Sequence, residues 1–188
     1  RIMVGKWPTA VALAEKSQRL YVGNQDRHSV SVVDLLQNPP QVIKEIPVSR
    51  EPSCLSVAPN ERSIVVTNLL ASGRGTDSRL SSELSIIDAD TLELTGEVKL
   101  PPGSSMVPGA CISPDGRWAY VVHGLGRFNL PITQLERGWV NTFALSIIDI
   151  ANASRLATVL LDDLMQGAAD PHSIVCSSDG GRLWISHT

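Results

Sequence analysis

The sequence predicts an all-β chain: a β-propeller of four-stranded antiparallel blades, of which these 188 residues cover about four. Three observations carry the prediction. An arginine-led apolar phrase recurs as "RLYVGN", "RSIVVTN", "RWAYVVH" and "RLWISHT", placing Asn24, Asn68, His123 and His187 at one repeated position. Ahead of each phrase lies a proline-led run, from Pro8, Pro52, Pro108 and Pro171. After the first three comes "SVSVVDL", "LSIIDAD" or "LSIIDIA", with Asp34, Asp88 and Asp149 at the matching place. Landmarks that recur in one fixed order are the mark of a repeat architecture.

Each landmark has the chemistry of a strand. "SVSVVD" and "LSIID" are short and β-branched with polar residues interleaved, and Asp or Asn punctuates their ends. "SPDG", Ser113 to Gly116, is turn chemistry, because Pro presets φ and Asp and Gly tolerate a tight reversal. Each unit therefore reads as inner strand, turn, second strand, loop, third strand, polar turn, fourth strand. The fourth strand is expected over Leu94–Leu100 in the second unit and Arg155–Leu161 in the third. Such a unit, repeated at spacings of 44, 55 and 64 residues, is a propeller blade. A β-sandwich would not repeat its turns in register. A βαβ fold needs helical periods, and only Leu160–Asp170 could hold a helical turn. The blades are expected near 8–50, 51–106, 107–170 and 171–188, the last incomplete, with the remainder of the ring outside this chain.

Composition narrows the function. A net charge of −3 and a pI near 5.8 argue against a nucleic-acid-binding surface, which carries a basic footprint. No apolar run approaches the roughly 20 residues of a membrane span. Cys54, Cys111 and Cys176 lie apart in apolar runs with no CxxC or CxxCH, as buried free thiols do.

The unequal spacings grow almost entirely in the loop between strands two and three. That loop is Gln25–His28 in the first unit, Leu69–Ser82 in the second and Gly124–Phe143 in the third. Long loops on a rigid scaffold are where binding resides, and a meander places these on one face. All four histidines map there: His28 in the first such loop, His123 and His187 at the ends of second strands, and His172 at the start of an inner strand. Counting outward from the "SDGG" turn sets His172 directly across from His187, within reach of one another. His123, His172 and His187 are therefore candidate ligands of a metal ion. The competing reading gives the strand-end His the work of an Asn, hydrogen-bonding an adjacent loop. Arg127, Arg137 and Trp139, in the longest loop, are the residue types of interaction hot spots and are candidates for contact with a partner. Asp34, Asp88 and Asp149 recur in every blade, as turn-forming side chains would. Asp162 and Asp163 lack the spacing of a Ca²⁺ loop, and "GLGRFNLP" lacks the GxGxxG of a dinucleotide site.

"YVGN", "VVTN", "SPDG" and "LSIID" resemble the YVTN-type β-propeller repeat of bacterial secreted and periplasmic proteins. "PITQLERGWVNTFALSIID" followed by "ADPHSIVCSSDGGRLWISHT" is similar to propellers that carry, or work beside, c-type cytochrome domains of the di-haem peroxidase-like kind. The resemblance implies a ring of about seven blades in the periplasm or outside the cell. It also implies a protein partner or fused cytochrome-like domain, with haem carried by that domain. Two functions follow from different classes. One is a binding or scaffold module for a c-type cytochrome or other redox partner. The other is a propeller oxidoreductase whose metal or cofactor sits in a His-lined site on the loop-rich face.

Overall fold

The computed structural model describes residues 1–126, 141–162 and 170–188. Among them lie fourteen β-strands and no α-helix. β1 (Pro8–Ala14), β2 (Arg19–Asn24), β3 (Ser29–Asp34) and β4 (Gln41–Pro47) form one antiparallel sheet in chain order. β5 (Pro52–Val57), β6 (Ser63–Asn68), β7 (Glu83–Asp88) and β8 (Glu93–Lys99) form the second. β9 (Ser104–Ile112), β10 (Trp118–Gly126), β11 (Asn141–Asp149) and β12 (Ser154–Leu160) form the third. β13 (Pro171–Cys176) and β14 (Leu183–His187) pair as a hairpin. β1, β5, β9 and β13 pack side by side as the innermost strands, so the sheets are propeller blades radiating from one line.

Two apolar layers hold the blades together. Between the first and second blades, Tyr21, Val32 and Ile46 meet Leu55, Ile64 and Ile87. Between the second and third, Val65, Leu84 and Ile86 meet Val107, Val121 and Ile148. Residues of each strand alternate between the blade before and the blade after, which is why these strands are apolar on both faces.

The turns follow the sequence closely. Gly116 and Gly180 adopt φ of +74° and +73° in the hairpin turns after Ser113 and Ser177, and Glu61 takes the same left-handed place in the second blade. Asp88 accepts hydrogen bonds from the Asp90 and Thr91 amides and the Thr91 hydroxyl. Asp149 accepts from the amide and side chain of Asn152. These bonds, the Thr91 and Asn152 amides foremost, hold both carboxyls below the usual range. Asp88→Ala removes three bonds from one turn, and a urea titration should show a loss of about 1 kcal/mol.

β8 and β12 each begin and end one residue earlier than expected, and two further boundaries differ more. Pro108 does not open its strand; β9 begins at Ser104, and Val107 takes the place that Pro8, Pro52 and Pro171 hold elsewhere. The residue before that place is left-handed each time it is seen: Trp7, Glu51 and Met106 have φ of 51°, 59° and 50°. The third blade is also taller. Gly124, Leu125 and Gly126, expected in a loop, pair with Phe143, Thr142 and Asn141 and extend the ladder.

The cysteines are free and half-buried on β5, β9 and β13. They are not isolated from one another. Burial pushes the Cys111 thiol up to about 12, and the neighbouring Cys176 and Cys54 add to the effect.

Candidate functional site: the insertion-bearing face

In each blade the connection from the second to the third strand leaves from the end where the innermost strand begins. The insertions of the second and third blades therefore rise from one face, and their bases are stitched together. The Gly103 amide donates to Leu80 O at 2.9 Å, and Gly103 O accepts from the Gly126 amide at 2.9 Å. Leu80 lies near the end of the second-blade loop, and Gly126 closes β10 just before the third-blade insertion. Arg127, Arg137 and Trp139 lie outside the described residues.

At this end of every complete blade sits a buried polar network. Asn24 donates through Nδ2 to Ser31 Oγ at 2.8 Å, and Asn68 to Ser85 Oγ at 3.1 Å. His123 is fully buried and holds Ser146 Oγ at 2.9 Å through Nε2. The three serines occupy one register position on the third strands, opposite Val22, Val66 and Val121. The change from Asn to His thus preserves one hydrogen bond, as the competing reading of these histidines requires. It also resolves a defect: Asn24 Oδ1 and Asn68 Oδ1 are buried without partners, whereas His123 Nδ1 donates to Gly124 O at 3.1 Å.

The carbonyl of Gly124 can only accept, so Nδ1 carries the proton and Nε2 accepts. The chain then has one direction: Arg155 Nη1 donates to Thr158 Oγ1, Thr158 to Ser146, and Ser146 to His123. Burial, with some help from the Arg155 charge, lowers the pKa of His123 to about 4. With both ring nitrogens engaged and no exposed surface, His123 has no lone pair to offer an ion while these bonds hold.

His172 and His187 do not stand opposite each other. Pro171 pairs with His187, and Ser173 with Ser186, leaving His172 as the extra residue of a bulge. The same one-residue bulge falls at Thr9 and Ser53 in the first two blades. Counting outward from the turn assumes an unbroken ladder, and the bulge shifts the count by one. It also gives the position a job. Thr9 donates to Pro52 O at 2.9 Å and Ser53 to Val107 O at 2.8 Å, each tying its inner strand to the next one. Both His172 and His187 are exposed. Among the described residues, no group of three or more His, Cys, Asp or Glu side chains is placed to hold a metal ion. His28 lies on this face as expected; its Nδ1 accepts the Glu51 amide at 3.1 Å and joins the first blade to the second.

The face also holds a cavity of about 260 Å³ lined by Leu69, Met106, Pro108, Phe143, Asp170 and His172, among others. Where the first blade meets the second, Gln25 donates to the Glu51 carboxylate at 3.1 Å. The corresponding pairs are Leu69 with Met106, then Gly124 with Asp170. A Cβ at Gly124 would meet Ser105 O at 3.2 Å, so the backbone of β9 takes the side-chain space of the third pair. Sequence reasoning missed Asp170, Ser146 and Thr158. The serine recurring in "SVSVVD" and "LSIID" was the available signal for the network.

No family model matches the chain, and no curated protein matches its sequence. Solved structures do resemble it. A chain described as Kuenenia stuttgartiensis Hydrazine Synthase superposes with a TM-score of 0.82 at 22% identity, covering 98% of this chain and 51% of that one. A functionally unknown protein from Desulfotomaculum acetoxidans DSM 771 superposes with a TM-score of 0.52 at 12% identity, covering 98% of this chain and 64% of the other. This chain thus spans about half the length of the first. At these identities the likeness is one of fold.

Proposed function

We propose that these blades belong to a secreted or periplasmic propeller of the YVTN type that works as a binding scaffold. Its insertion-bearing face docks a redox protein partner, a c-type cytochrome domain of the same polypeptide or of a neighbouring subunit. The observation that carries the reading is the confinement of added sequence to one face. Blade cores are near-identical in pattern, while the second-to-third-strand connection lengthens from Gln25–His28 to 69–82 and 127–140. Stitched insertions over a rigid sheet array suit a protein epitope better than a closed catalytic pocket. The likeness to a chain named as a hydrazine synthase supports a place beside redox chemistry. The remaining blades of a seven-bladed ring come from the longer polypeptide.

The test is direct binding of a c-type cytochrome encoded in the same polypeptide or beside it, measured by calorimetry. Shortening residues 71–79 and 127–140 to tight turns should weaken binding at least about tenfold and leave the melting temperature nearly unchanged. Undiminished binding by the shortened protein would sink the reading.

A further inference from the structure

The face opposite the insertions carries the turns between first and second strands, and there the two interfaces between complete blades differ. Between the first and second blades, two charged side chains cross the gap. Arg19, which opens β2, donates through Nη1 to Ala89 O at 2.6 Å. Glu61, in the turn from β5 to β6, accepts the Lys16 and Ser17 amides at 2.8 and 2.9 Å. The ladders give the equivalent residues between the second and third blades. Arg19 lies opposite Asp34 and Ser63 opposite Asp88, so Ser63 stands in the place of Arg19. The Glu61 and Gly116 amides close the same turn, onto Ala58 O and Ser113 O, so Gly116 stands in the place of Glu61. The side chain of Asn60 takes the space beside Gly116, where a Cβ would meet its Nδ2 at 2.7 Å. The place of the Arg19 guanidinium has no such substitute, because Ser63 is too short to cross.

A cavity of about 310 Å³ lies there, lined by Ser63, Asp88, Thr95 and Ile150 among others. Its walls are rich in acceptors. Ile150 O corresponds to Ala89 O and takes one long bond, from the Ala153 amide at 3.4 Å. Thr95 donates its proton to Ile86 O at 3.2 Å and can only accept further bonds. Asp88 receives its three bonds on Oδ1 alone. Asp34 and Asp149, at the same place in their blades, each engage both carboxyl oxygens. Among the described residues, then, Asp88 Oδ2 keeps its lone pairs for another donor. Arg62, a cation in the same lining, is exposed and holds the place of Gln18 in the first blade.

We propose that this cavity binds a guanidinium group, which fills the place that Arg19 fills between the first two blades and donates to Ile150 O and Asp88 Oδ2. A planar cation with five N–H donors and no acceptor matches a wall of acceptors. The first interface carries that group on its own chain, and the second takes it from outside. The inference concerns the face away from the insertions and does not rest on the redox-partner reading above.

The experiment titrates two guanidinium probes, agmatine and the peptide acetyl-Gly-Arg-Gly-amide, into the protein and follows backbone amide shifts by NMR. Saturable shifts at Ser63, Asp88 and Ile150 are expected with at least one probe. The tighter of the two names the source, a small metabolite or a protein side chain, and binding of either supports the site. Cadaverine and acetyl-Gly-Lys-Gly-amide should bind at least about fivefold more weakly, since an ammonium lacks the planar fork. Ser63→Arg refills the gap and should weaken binding at least about tenfold, whereas Ser63→Ala keeps the space and should change it less than about twofold. Two exposed positions test the charge without touching the core. Ala151→Lys should weaken binding about threefold and Arg62→Gln should strengthen it about as much. Three results overturn the proposal: no saturable shifts with either probe, equal affinity for the lysine counterparts, or undiminished binding by both Ser63→Arg and Ala151→Lys.

Discussion

Acidifying the protein from pH 7 to pH 4 should remove about 3 kcal/mol of stability through His123 alone, and His123→Asn should abolish that loss. The imidazole titrates near 6.5 in an unfolded chain and near 4 in the folded one. A lowered folded value means the unfolded state binds the proton first. The stabilisation is therefore complete above about pH 6.5, declines as pH falls, and is gone below about pH 4. Protonating Nε2 would set its new N–H against the Ser146 donor and leave a charge in a dry site. Urea titrations across this range, on the native protein and on His123→Asn, measure the difference. Asn restores the residue that the first two blades use, keeps the bond to Ser146, and should cost about 1 kcal/mol at pH 7. His123→Leu strands both the serine and the Gly124 carbonyl and should cost about 2–4 kcal/mol at that pH. Lowered carboxyls such as Asp88 and Asp149 leave a small loss near pH 4 in either protein, so an undiminished loss in His123→Asn would show that His123 is not its main source.

Tyr21→Ala should be among the most damaging single changes, at about 3–5 kcal/mol, whereas Trp184→Ala should change stability by less than about 1 kcal/mol. The two aromatics hold the same register place on the second strands of the first and fourth blades. Tyr21 is fully enclosed between its own blade and Leu55, Ile64 and Ile87 of the next, so truncation leaves a cavity that rigid sheets cannot close. Trp184 is half in solvent and leaves none. Thermal melts of both variants in the 188-residue chain test the contrast. A large loss from Trp184→Ala would mean its exposed face is already covered in solution.

Strand order was legible because it rests on side-chain chemistry: β-branched runs, Asp at strand ends and Asp-Gly turns. The details that failed rest on backbone. A bulge adds a residue without marking it, so His172 shares a position with Thr9 and Ser53 without sharing their hydroxyl. The left-handed residues Trp7, Glu51 and Met106 are as unlike as side chains can be, because the ring dictates that turn and the residue merely tolerates it. For the same reason Val107 stood unrecognised in a place where three other blades use proline. His123 lies on the insertion-bearing face, and its bond to Ser146 fits the competing hydrogen-bonding reading. The expected trio with His172 and His187 depended on the pairing that the bulge displaces.

The confinement of added sequence to one face has a consequence for how such a surface can change. Because the bases of the insertions are pinned by Leu80, Gly103 and Gly126, lengthening a loop alters only the chain between fixed posts. Going from the four residues of Gln25–His28 to the fourteen of 69–82 adds about 1 kcal/mol of closure entropy, less than the cost of one poorly filled core position. The recognition surface and the blade stack can therefore drift at independent rates. A single substitution among Ile64, Val66 or Ile87 is constrained by two blades at once, while a dozen residues can be exchanged overhead without the stack registering the difference.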